Sequence, residues 1–471
     1  SSYMHINDGT STQTVGNATT DYGYSGSKAG ATGTKAIAGG VNAQAADEKA
    51  IAIGADATAS GEAAIAIGSN AKTQYIDTIA IGKDAKAAGN HSVALGGETE
   101  SKGWHSVSVG YRAKNEGDNS ISIGVNASSD STSDNSTVIG SNSSATINAG
   151  NSVILGMQST IKGSVSSSAN GIAIGNGSQI NDSLAATAIG DSTSISNLSN
   201  YGVGIGLGAT VDNSAQGIAL GYGASAKNST SGISIGHGSE VSAALAIAIG
   251  SGAKASGEKS ISIGTLNEVK GNKSSAIGDP SYIDTTATGT HVHGNDNGTA
   301  TNPIKASEST FMGNTNLAGT AGTTGIHVVG NSNTVDSSNV MVMGNGVNVG
   351  TGLDGAVVLG NTSSADQYAA ATDSTINGVT FEAAGYAGNT GLNKGSIVSV
   401  GATGTERQIK NVAAGAVTAT STDAVNGSQL YKTAETILKM PINMAGDSGD
   451  TVGLKLGKTV NIKGSVASGA D

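Results

Sequence analysis

A chain of 471 residues with net charge -11, one tryptophan, two phenylalanines and no cysteine is long enough for several domains, yet its 3% aromatic content excludes a large conventional core. The missing cysteine rules out disulfide staples, and acidity spread along the chain argues against nucleic acid as the principal partner. Glycine is abundant at 72 residues and proline nearly absent at 3, which suits many tight turns between strands that need every backbone N–H. No signal peptide and no apolar run of membrane-spanning length is recognisable, so any export signal or anchor is expected outside this segment.

Residues 1–35 carry no period and read as an irregular N-terminal cap over the edge of whatever follows. From residue 36 a short motif recurs: IAIG at 51–54, 65–68 and 79–82, VALG at 93–96, VSVG at 107–110 and ISIG at 121–124. The closing glycines Gly54, Gly68, Gly82, Gly96, Gly110 and Gly124 fall at every fourteenth position, the signature of a stacked solenoid in which one repeat is one rung. Ile51 and Ile53 share one strand face and Ala52 takes the other; the isoleucine face is expected to be buried within the rung. A second short strand follows, with Ala57 and Ala59 pointing in and Thr58 out. Gly61, Gly89, Gly103, Gly117 and Gly257 fall seven residues after rung glycines, where a turn is expected to need positive φ. The column Ala52, Ala66, Ala80, Ala94, Ser108 and Ser122 is small throughout, which points to a second buried surface, made by other copies of the chain.

From Gly124 the period loosens, with rung glycines at Gly140, Gly156, Gly175, Gly190 and Gly206, and it persists to Gly278, so that 36–278 is one run of rungs. The segment 279–310 shows no rung and reads as an insertion loop holding His291 and His293. Rungs resume in 311–400, which ends in an irregular stretch from 361. Two motifs then follow, ERQIKNVAAG at 406–415 and STDAVNGSQLY at 421–431. Val425, Leu430, Ala434 and Ile437 form a short helical stripe ending at Pro441, and VGLKLG and TVNIKG read as strands.

The pair of motifs at 406–431 resembles the neck of trimeric autotransporter adhesins, and the IAIG and SVALG rungs resemble the YadA-like head repeats of that family. The resemblance covers roughly residues 36–431. It implies an all-β fold, a trimeric left-handed parallel β-roll head, with a neck at 401–431 and, in 432–471, a short coiled-coil segment and the start of a stalk module. It also implies a homotrimer on the bacterial cell surface, anchored in the outer membrane through a C-terminal region outside this segment. Its function would be attachment to host matrix proteins such as collagen, fibronectin or laminin, or to carcinoembryonic-antigen-type cell-adhesion receptors. Autoagglutination or a structural role in biofilm is the alternative, since self-association would use the same surface. Roughly 20 rungs at about 4.8 Å each would make a rod on the order of 100 Å.

The residues offer little chemistry. GISIG at 232–236 matches a nucleophile elbow, but Ser234 stands in the column of Ala52 and lacks the strand-to-helix setting; GDSG at 446–449 lacks a protease domain around it. His291 and His293 could share a strand face and offer imidazoles to a metal, yet no carboxylate or cysteine stands at characteristic spacing, and no metal or cofactor is expected. A β-helical lyase or hexapeptide acyltransferase would need clustered catalytic groups in a cleft, and a fourteen-residue rung does not fit three hexapeptides. The reading is therefore non-enzymatic. Trp104, Tyr111 and Tyr222 on turns are candidate contact residues, set against the alternative of rings lying over neighbouring rungs. Lys72, Lys86, Lys114 and Lys254 read as a solvated column rather than a site for acidic ligands. Binding could use the rod's flank or the irregular loops at 279–310 and 361–400, with the flank favoured.

Overall fold

The computed structural model describes residues 4–6, 30–163, 169–444, 449–459 and 461. Most of the chain is a β-solenoid of about 21 turns. Through residue 283 each turn contributes one strand to each of two parallel sheets, paired with the equivalent strands of neighbouring turns; beyond it the second sheet is reduced to isolated bridges and the pair Thr334–Val335 and Asn348–Val349. Ala52 stands beside Ala66 and Ala66 beside Ala80 in the first sheet, while Thr58 stands beside Lys72 and Lys72 beside Lys86 in the second. Met4–Ile6 runs antiparallel to Ile37–Gly39 and covers the free edge of the first rung.

The inward and outward faces of the first sheet are the reverse of the sequence expectation. Ala52, Ala66, Ala80, Ala94, Ser108 and Ser122 are fully buried inside the roll, together with Ala57, Ala59, Ala85 and Ala87 from the second sheet. Ile51 is half-buried, and Ile53 and Ile81 are 42% and 39% exposed on the outside. The reason is the shortness of the rung. So few residues, spent on two strands and two turns, leave the sheets so close that the inward positions are mostly Ala, Ser and Thr, with an occasional Asn or Val such as Asn115, Val241 and Val269, and the isoleucines point away. Where rungs lengthen, as between Gly140 and Gly156 or Gly156 and Gly175, the inner column enlarges, to Val138, Ile154, Ile161, Ile180 and Ile195 and later to Phe311, Ile326 and Val328. Inner hydroxyls of the narrow rungs bond within the roll: Ser101 Oγ lies 2.7 Å from Ser106 Oγ, and Ser108 Oγ donates to the Glu100 carbonyl at 2.9 Å.

The glycines divide into two kinds, which corrects a second expectation. The rung glycines other than Gly344 have positive φ: at Gly124 it is 136°, and a Cβ there would also sit 2.6 Å from the Gly140 carbonyl oxygen. The glycines seven residues later do not have positive φ. Gly117 is required because a Cβ would meet the Ser133 carbonyl oxygen at 2.7 Å. Left-handed conformation in the turns falls instead on non-glycine residues, among them Asn70, Asp84, His91, His105 and Asn119, and Asn and Asp tolerate it best.

The stretch 279–310 is not an insertion. His291–His293 is a strand of the first sheet, paired with Ser275–Ile277 on one side and Thr310–Met312 on the other, with Val292 in the buried column. Its IAIG signature is lost because both outward positions changed from isoleucine to histidine, while the inward one stayed apolar. Val398–Ser399 adds to Val357–Leu359 after the excursion that includes the hairpin Ser374–Ile376 and Val379–Phe381.

Beyond the last rung, Arg407 bonds to the Asn361 carbonyl at 2.8 Å, the Val400 carbonyl at 2.9 Å and Ser363 Oγ at 2.9 Å. The single α-helix among the described residues, α1, spans Gly427–Lys439 behind a capping box of Asn426 and Gln429. Asn426 Nδ2 also donates to the Val412 carbonyl at 3.0 Å, and Gln429 bonds both backbone groups of Gly415, so the cap ties the segment before the helix to its first turn. No residue of α1 is buried, and Leu430 and Leu438 are among the most exposed apolar side chains. Val452–Lys455 pairs antiparallel with Pro441–Met444; four of the six residues of TVNIKG at 459–464 lie outside the described residues.

Candidate functional site

The two outer faces of the rod differ in chemistry, and the strand pattern decides which is which. Outward positions of the first sheet between residues 51 and 263 are Ile, Val or Leu, with Thr137 and Thr187 as the exceptions. Outward positions of the second sheet are polar. Lys72, Lys86, Lys114 and Lys254 are exposed there, but they do not form a purely basic column: Glu100 stands between Lys86 and Lys114, and Lys254 between Glu240 and Glu268. Lys102 lies 3.2 Å from Glu100 and 2.9 Å from Glu116, and Lys114 lies 2.8 Å from Glu116. Hydrogen bonds from Lys114 and then Lys102 hold the Glu116 carboxyl below its ordinary range. This sheet is a charge-compensated, solvated surface.

The aromatic candidates sit on turns. Tyr111 donates from its hydroxyl to Glu98 Oε1 at 2.9 Å, Arg112 Nε donates to Glu98 Oε2 at 2.7 Å, and the guanidinium lies 4.9 Å from the Tyr111 ring centre. The Arg112 bond, then the Tyr111 bond, lowers the Glu98 pKa. Tyr222 stacks on His237 with ring centres 5.1 Å apart and planes within 6°, the ring-over-rung arrangement, yet remains 56% exposed. Trp104 is 59% exposed, in a turn whose N–H bonds Asp118 at 2.7 Å. Tyr111 and Tyr222 follow rung glycines on the same line of turns, seven rungs or about 34 Å apart; Trp104 lies on the opposite line. The three do not converge on one pocket. They are contact points spaced along two edges of a rod. Tyr201, 57% exposed, belongs with them; it was missed because it follows no rung glycine.

The other motifs find structural explanations. Ser234 is fully buried in the inner column between Ala219 and Ala248, with its Oγ 2.7 Å from Ser239 Oγ, where no substrate reaches it. Three of the four residues of GDSG lie outside the described residues. His291 and His293 do share a strand face and are exposed. No three His, Cys, Asp or Glu side chains gather into a metal-binding group among the described residues.

Comparison with known proteins agrees with the repeat and the helix. The YadA head domain repeat matches residues 31–57, 48–71, 76–99, 102–130, 242–267 and 255–281, and the coiled stalk of trimeric autotransporter adhesin matches 408–439. Both matches are to modules of trimeric autotransporter adhesins, and together they cover about a third of this chain. The family is a non-enzymatic class. Among curated proteins, autotransporter adhesin BtaE of Brucella suis biovar 1 (strain 1330) is 41% identical over 81 residues, which are 17% of this chain and 10% of that protein. This chain thus spans about a tenth of that curated relative's length. Among solved structures, the C-terminal YadA-like domain of BPSL2063 from Burkholderia pseudomallei is 37% identical and covers 24% of this chain and 48% of its own, with a TM-score of 0.19.

Proposed function

We propose that this segment is the head and neck of a homotrimeric adhesin displayed on a bacterial outer surface, anchored in the outer membrane, which attaches the cell to host matrix proteins or cell-surface receptors. The observation that carries the reading is the apolar outer face of the first sheet. Columns of Ile, Val and Leu running through the rungs between residues 51 and 263, half-buried in one chain and reaching about 40% exposure at Ile53, Ile139 and Ile205, form a continuous apolar face of the kind that marks an interaction surface. Three copies packed on this face around one axis would bury it, and would give the exposed Leu430, Ile437 and Leu438 of α1 a coiled-coil seam. The interface thus uses the isoleucine columns rather than the alanine column. The polar sheet and the turn lines with Trp104, Tyr111, Tyr201 and Tyr222 remain outside to meet a receptor, and three copies supply avidity from weak contacts.

Collagen, fibronectin, laminin and carcinoembryonic-antigen-type receptors are the candidate ligands. The test pairs light scattering with binding of the purified chain to an array of these proteins. A trimeric mass and a saturable hit that falls at least tenfold in Trp104→Ala/Tyr111→Ala/Tyr222→Ala are expected. A monomeric mass sinks the assembly, and a folded trimer that clumps cells without binding any host protein replaces the adhesin reading with autoagglutination.

A further inference from the structure

Four successive rungs break the chemistry of the apolar face in a consistent way. From His291–His293 through Thr310–Met312 and His327–Val329 to Met341–Met343 the strands pair in register, and their eight outward positions hold His291, His293, Met312, His327, Met341 and Met343, with Thr310 and Val329. The chain has only 7 histidines and 7 methionines; three of each stand on this patch. All six are exposed in the single chain. The inward residues Val292, Phe311, Val328 and Val342 are fully buried, so the core does not require the change outside.

The register makes two donor pairs. His293 is the lateral partner of Met312, and His327 of Met341. Neighbouring strands lie about 4.8 Å apart, so the imidazole and thioether of each pair can reach one ion between rungs. Imidazole with thioether is a soft donor set. Thioethers select Cu(I) and similar ions, whereas calcium and magnesium require oxygen ligands, and none of the eight positions carries a carboxylate. His291 stands outside both pairs, beside Thr310, with its Nδ1 2.8 Å from Ser275 Oγ.

We propose that this patch is a binding site for a soft monovalent metal ion, Cu(I), held by the pairs His293–Met312 and His327–Met341. The inference rests on the trimer proposed above, in which this face meets its copies and each ion gains further ligands from them.

The test titrates the full chain with Ag(I), a redox-inert probe of the same donor preference, alongside Zn(II), and measures the mass of the same samples by light scattering. Two Ag(I) per chain are expected to bind with the trimer intact. Met312→Leu/Met341→Leu, which preserves volume and apolarity, should weaken that binding at least tenfold, and His293→Ala/His327→Ala should weaken it similarly. A folded trimer that binds no Ag(I), binds it equally in the leucine variant, or binds only Zn(II) overturns the site and leaves the trimer standing. A monomeric mass overturns the trimer whatever the Ag(I) result.

Discussion

Exchange of side chains between a narrow rung and a wide one tests which column faces inward. Ala80 and Ile154 are both the central residue of a first-sheet strand and both fully buried. Ala80 packs against Ala85, Ala87 and Ala94 in one of the shortest rungs. Ile154 packs with Val138, Ile161 and Ile180 in the longer rung that runs from Gly140 to Gly156. Ala80→Ile would force three extra carbons between sheets already in contact, and overpacking of this kind costs about 1–3 kcal/mol; the absence of any turn slack places it at the upper end. Ile154→Ala would leave a cavity and cost about 2–5 kcal/mol. Ala80→Ser should stay within about 1 kcal/mol, since Ser108 and Ser122 occupy the same column. Because each rung touches only its neighbours, the damage should be local. Hydrogen exchange read by mass spectrometry should quicken over residues 64–96 in Ala80→Ile and over 138–180 in Ile154→Ala, beside a lowered apparent melting temperature. If Ala80→Ile melted and exchanged like the parent protein, the alanine column would have to face outward and the assignment of both faces would fall.

Gly124→Ala combines a φ of 136° with a contact of 2.6 Å to the next rung and should lose about 1–3 kcal/mol, seen in the same melting assay; an unchanged Tm would contradict the close stacking of rungs. Arg407→Ala removes three bonds to the last rung and should cost about 1–2 kcal/mol, partly screened by solvent. Limited proteolysis should then cut sooner within residues 361–426, and Arg407→Lys should not restore resistance because it lacks the planar fork. At Asp130, partial burial raises the carboxyl pKa, but bonds from the Ile147 N–H at 2.6 Å, from Ser133 Oγ at 2.7 Å and from Thr132 lower it further, for a net decrease. A depressed folded-state pKa gives stability that is present above the unfolded value and lost as pH falls through the folded one. The Tm gap between the parent and Asp130→Asn should therefore be widest near neutral pH and close below about pH 4; a gap independent of pH would show that the charge plays no part.

The sequence by itself determined the rung. A strict period of small motifs, glycine at each closing turn, and a polar residue between two alanines admit little besides stacked strands, and the motifs at 406–431 resemble the neck of trimeric adhesins. Which side of the strand faced inward was not legible, because strict alternation of Ile and Ala is symmetric until the distance between the sheets is known. That distance is tertiary: short turns bring the sheets so close that the smaller column, not the larger, becomes the core. The same ambiguity hid the rung at His291–His293, since its outward positions lost the isoleucines that marked the motif while Val292 kept the inward column intact. The pairing of His293 with Met312 joins residues nineteen apart in the chain, across a lengthened rung that no period announced, and that of His327 with Met341 joins residues fourteen apart. Only the stacking of strands set those donors side by side.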